Sequence, residues 1–163
     1  MKNEGDTFIG VQGCLFIGIY ANQLTTLYDT NKDILLQSVN PILKIRKQHS
    51  SEETYWKFAW LEDDLGGDIL TINEQDTPEP LEYILINAPY QKYSVIGSCF
   101  LASEDSLIKK VSGYGFKKDN REFLSATVLE LEKLFISIRA GAVIETRITD
   151  KRPNEMGSLL FST

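Results

Sequence analysis

The apolar residues of this chain come in short runs rich in Ile, Leu, Val, Phe, Tyr and Thr, cut every few residues by Asn, Asp, Gly or Pro. Runs of that length suit strands better than helices, and β-branched and aromatic residues fit a pleated, half-buried surface. The spacing predicts strands at Phe8 to Val11, Cys14 to Ala21, Leu24 to Tyr28, Ile34 to Val39, Ile42 to Lys47, Thr54 to Trp60 and Asp68 to Asn73. It predicts others at Tyr83 to Asn87, Ser94 to Ala102, Leu107 to Val111, Ala126 to Leu131, Leu134 to Ala140, Val143 to Thr149 and Ser158 to Phe161. The expected fold is therefore mostly β, an antiparallel meander forming a sandwich or a barrel.

One segment points elsewhere. Asp119-Asn120-Arg121-Glu122 has the spacing of a capping box, and Leu124, Val128, Leu131 and Phe135 follow at helical intervals. A helix near residues 120–133 would make the class α+β. Against it, Thr127 and Val128 are β-branched and Leu134 to Thr149 reads as strands.

Two segments echo each other. Ile34 to Val39, a turn at Asn40-Pro41 and Ile42 to Arg46 resemble in pattern Leu134 to Arg139, a turn around Gly141 and Val143 to Arg147. Their last strands alternate in the same phase, Leu43 and Ile45 matching Ile144 and Thr146. The likeness fits either a duplicated meander or the general similarity of half-buried hairpins. At 163 residues the chain is expected to be one domain, with halves at 8–60 and 92–150 joined by an acidic segment at 61–91.

Charge is unevenly placed. Between Phe58 and Gln91 stand Glu62, Asp63, Asp64, Asp68, Glu74, Asp76, Glu79 and Glu82 with no Lys or Arg, so this window holds −8 and the remainder 17 − 15 = +2. Leu65-Gly66-Gly67 reads as a turn and Thr77-Pro78-Glu79-Pro80 as an extended loop, which puts the acids at the surface.

The composition is poor in catalytic material. The single histidine, His49, lies in a polar stretch with no second ligand or fixed acid at recognisable spacing. Gly113-Tyr114-Gly115-Phe116 lacks a dinucleotide fingerprint and reads as a turn with an aromatic packed beside it. Leu65-Gly66-Gly67 breaks the alternation a calcium loop would need. No cofactor or metal is expected, and an enzyme is the less favoured reading. Cys14 and Cys99, each among apolar neighbours, read as reduced core thiols, with a disulfide between them as the alternative. The amino terminus has acids where a secretory signal needs positive charge, and no apolar run reaches the roughly 20 residues of a membrane helix, so a cytoplasmic location is expected.

Small basic patches, Lys44 to Lys47 and Lys109-Lys110 with Lys117-Lys118, are interspersed with apolar residues, and an acidic chain is unsuited to nucleic acid. The leading expectation is a non-catalytic protein-binding module of the immunity-inhibitor kind. It would set Glu62, Asp63, Asp64, Asp68, Asp76 and Glu79 against a basic protein such as a toxin. The alternatives are a small-ligand or sensor domain and a structural subunit joined through a strand edge. Trp56, Phe58 and Trp60 share one face by alternation, which favours core packing over an interface role.

Overall fold

In a computed structural model that describes residues 8, 10–22, 25–28, 33–81, 83–85, 92–94 and 98–163, and the side chains of these other than 28, 83–85, 92–94 and 98–105, the short apolar runs are strands. They are β1 (Leu15–Ala21), β2 (Thr25–Tyr28), β3 (Ile34–Ser38), β4 (Ile42–Arg46), β5 (Glu53–Glu62), β6 (Asp68–Gln75) and β7 (Tyr83–Leu85). There follow β8 (Lys92–Ser94), β9 (Ser98–Leu107), β10 (Lys110–Lys118), β11 (Arg121–Glu130), β12 (Phe135–Arg139), β13 (Ile144–Thr149) and β14 (Ser158–Ser162).

Two antiparallel sheets form the body, ordered β6-β5-β4-β1-β9 and β14-β10-β11-β12-β13-β3-β2, with β7 and β8 a separate pair. Neither sheet closes into a barrel, and the arrangement is that of a sandwich. Phe16, Ile19, Leu43, Ile45, Trp56, Phe58 and Leu70 from one sheet meet Leu36, Val111, Leu124, Leu129, Ile136, Ile138, Ile144 and Ile148 from the other in one continuous core. Trp56 and Phe58 are fully buried, as their alternation requires. Each sheet draws strands from both sides of the acidic window. Among the described residues no helix is long and apolar enough to cross a membrane.

The two echoing segments are built differently. β12 and β13 pair directly as a hairpin. β3 and β4 do not: β3 pairs β2 and β13, whereas β4 crosses to the other sheet and pairs β1 and β5. Asn40-Pro41 is thus a crossing between layers.

The helix expected near 120–133 is β11 and the turn after it. Asp119 and Asn120 take φ of 49° and 60°, the consecutive left-handed pair that closes a two-residue β-hairpin, and β10 pairs β11 on either side of them. The helical spacing has its own cause. Tyr114 stands opposite Ala126 and Gly115 opposite Leu124, leaving Ser125 as an extra residue that switches the faces of β11. Leu124 therefore points into the main core, while Ala126 and Val128 point away from it into a satellite cluster with Met156, Tyr114 and Phe135.

Gly113 and Gly115, read as a turn, lie inside β10. A Cβ at Gly113 would fall 2.2 Å from the Phe161 ring, and one at Gly115 would fall 1.9 Å from the carbonyl oxygen of Phe123. The glycines let neighbouring groups close on the strand. The expected strand Leu107 to Val111 is broken by the β9–β10 connection at Ile108 and Lys109.

Of the expected strand Phe8 to Val11, Ile9 lies outside the described residues, and Phe8, Gly10 and Val11 are not in a strand. Val11 N–H donates to the Phe8 carbonyl at 3.2 Å and Cys14 N–H to the Val11 carbonyl at 2.9 Å, and Phe8 lies in the core. Its ring lies 5.1 Å from that of Trp56, edge to face, and 4.8 Å from that of Phe161. Cys14 is free and buried, and burial pushes its thiol pKa up. The side chain of Cys99 lies outside the described residues.

Candidate functional site

The acidic window folds largely as the β5–β6 hairpin. Trp56, Phe58 and Trp60 stand opposite Glu74, Ile72 and Leu70 in register, and the turn over Asp63 to Gly67 closes the pair. Asp63 holds that turn. Its Oδ1 accepts the N–H groups of Leu65 at 2.9 Å and Gly67 at 2.6 Å, and its Oδ2 accepts from Lys118 Nζ at 3.2 Å. Gly66, at φ 82°, supplies the left-handed position. The Gly67 and Leu65 amides, with a smaller contribution from Lys118, lower the Asp63 pKa. Lys118 ends β10, so this ion pair ties the hairpin of one sheet to a hairpin of the other.

Asp68 is also committed: its Oδ1 accepts from Trp60 Nε1 at 2.7 Å. Glu62 stands opposite it in the register, two like charges across a strand pair. Among the described residues neither Glu62 nor Asp64 has a side-chain hydrogen bond or ion pair. Two large apolar side chains sit among these carboxylates, Leu61 at 55% and Leu65 at 82% exposure. The tip therefore offers Glu62, Asp64, Leu61 and Leu65 outward while using Asp63 and Asp68 for its own shape.

Asp76 and Glu79 are elsewhere. They belong to the far end of β6, and eight residues of strand put Asp76 roughly 26 Å from Asp68. There Gln75 Nε2 donates to the carbonyls of Thr77, at 2.8 Å, and Glu79. Leu81, in the same turn, is buried against Tyr20, Ile42 and Tyr55 on the outer face of the five-stranded sheet. Asp76 and Glu74 border a cleft of about 220 Å³ with Cys14, Lys47, Glu52 and Trp56. Lys47 is bonded to Glu52 at 2.9 Å, an interaction that raises the lysine pKa. The six candidate acids are thus divided between the two ends of one hairpin.

A second charged region was not foreseen. On the outer face of the seven-stranded sheet, β12 and β13 form the floor of a groove of about 370 Å³, and residues 151–154 with Met156 form its wall. It gathers Arg139, Arg147, Lys151 and Arg152, with Asp33 and Glu145. The signal available in the sequence was an arginine on each strand of the β12–β13 hairpin, Arg139 opposite Glu145 and Arg147 opposite Ser137, followed by Lys151-Arg152-Pro153.

Comparison with family models, with curated proteins and with solved structures found no match.

Proposed function

We propose that this chain is a cytoplasmic, non-catalytic protein-binding module that presents the β5–β6 tip to a basic partner, as an immunity-type inhibitor does. The supporting observation is Leu65, left 82% exposed beside Glu62 and Asp64, whose carboxylates have no hydrogen bond or ion pair among the described residues. Exposed leucine is unfavourable in water and contributes roughly 1.5–3 kcal/mol when a partner buries it. The carboxylates of Glu62 and Asp64 supply a field that speeds encounter with a positive surface and disfavours acidic competitors. The like-charged Glu62 and Asp68 pair would be relieved by a Lys or Arg from that partner. Asp76 and Glu79 would belong to the contact only if the partner spans the full length of β6.

The test is photo-crosslinking from position 65 of the full chain in its native cell, with the captured protein then purified for titration. Binding should weaken with salt, and Leu65→Ser should reduce affinity by about tenfold. Asp64→Lys should mainly slow association. An affinity unchanged in Leu65→Ser and Asp64→Lys at low salt would remove the proposal.

A further inference from the structure

The groove on the outer face of the seven-stranded sheet is a built feature. Ser137 and Thr149 point away from the main core, yet each is only 6% exposed. The cover comes from the chain after β13: Met156 packs on Ala126 and Val128, and Arg139 donates to the carbonyl of Glu155 at 3.2 Å and lies 3.3 Å from the Met156 sulfur. Hydroxyls thus line the floor and cations stand around it.

The charges there are not balanced internally. Four cations against two carboxylates give the lining 4 − 2 = +2, and +1 once Glu130 beside Arg152 is counted, on a chain whose net charge is −6. Arg147 is paired with Asp33 at 3.3 Å, and Arg152 is 3.9 Å from Glu130. Arg139 and Lys151 have no carboxylate within 4 Å among the described residues. One Arg139 terminal nitrogen is taken by the Glu155 carbonyl and the Met156 sulfur, and its remaining N–H groups, with the Lys151 ammonium, border one small, partly enclosed space; such donors recognise carboxylate or phosphate oxygens. The volume falls in the range of small-molecule sites. Glu145 and the two hydroxyls would serve hydroxyl groups on the same ligand.

We propose that this groove binds a small anion, a carboxylate or a phosphate carried on a hydroxyl-bearing skeleton. The site is separate from the β5–β6 tip, so either reading can fail without the other.

Calorimetric titration of the full chain with citrate, glucose 6-phosphate and inorganic phosphate tests it. One saturable site for citrate or glucose 6-phosphate is expected, and whichever binds more tightly identifies carboxylate or phosphate as the preferred group. Inorganic phosphate should bind more weakly than glucose 6-phosphate, because it leaves the hydroxyl contacts unmade. Lys151→Gln, at an exposed position, and Arg139→Gln should each weaken binding at least about tenfold. Lys117→Gln, the same charge change on a lysine paired with Glu122, should not. The proposal is overturned if none of the three anions saturates by about 10 mM. It is equally overturned if both groove variants keep wild-type affinity, or if Lys117→Gln loses as much.

Discussion

The β5–β6 tip and the groove beside β12 and β13 are opposite in charge and differ in how much of that charge the fold itself consumes. The tip comes from one contiguous stretch, and part of its charge is consumed locally: Asp63 closes the turn and Asp68 holds Trp60. The groove, Asp33 apart, also comes from one stretch, residues 137–156, in which the segment after β13 folds back over the β12–β13 hairpin, and it leaves Arg139 and Lys151 without a carboxylate partner among the described residues. A dense run of charge in a sequence therefore overstates what a surface offers, while charges spaced along a hairpin and the segment after it converge only once the chain folds back over the sheet.

The sharpest way to separate the regions is to loosen one and watch the other. Met156→Ala should remove the anchor that holds the wall of the groove on Ala126 and Val128, costing about 2–3 kcal/mol in urea unfolding. It should abolish anion binding and leave capture through position 65 intact. Loss of both would mean that the regions are coupled.

Asp63→Asn should come next, with a clear fall in thermal midpoint, because the turn amides and Lys118 lose their shared carboxylate. The pH dependence carries the same information. Because the folded Asp63 pKa lies below the ordinary 3.8, its contribution is fully present above that value and is lost as pH falls through the lowered folded pKa. Acid unfolding followed from pH 5 downward should show this loss in wild type and not in Asp63→Asn. Superimposable curves would show that Asp63 is no more committed than Asp64.

Leu65→Ser should leave stability within about 0.5 kcal/mol, since nothing in the fold packs on a side chain so exposed. A larger loss in denaturant titration would reclassify the tip as structural. Smallest of all, Glu62→Gln should raise stability by about 0.3 kcal/mol by relieving the opposition to Asp68. A fall would mean that Glu62 has a structural task.

The β character, the inward face of Trp56, Phe58 and Trp60 and the turn at Leu65-Gly66-Gly67 were all legible, because they depend on local alternation and backbone freedom. What escaped the sequence depended on neighbours. Gly113 and Gly115 resemble turn residues until Phe161 and the Phe123 carbonyl are seen against them. Asp119-Asn120 suits a helix cap and a left-handed hairpin equally well. The bulge at Ser125, with apolar cover on both faces of β11, turned a strand into an apparent helical stripe. For the site, the location of the tip could be read but not the division of labour among its acids, since hydrogen bonds to Asp63 and Asp68 leave no mark in composition. The groove was missed because its cations, spaced among apolar residues and carboxylates, gather only when residues 151–156 fold back over the β12–β13 hairpin, and Asp33 joins them through the pairing of β3 with β13.

Phe8 touches Trp56 on β5 and Phe161 on β14, so the first core residue described and one of the last share a single contact. During synthesis the place for Phe8 lacks one wall until Phe161 has left the ribosome. That end of the core closes only with a strand made more than a hundred residues later. A nascent chain arrested before β14 should accordingly remain open to protease near Phe8 and become resistant once Phe161 has emerged; equal resistance before and after would show that the core shuts without it.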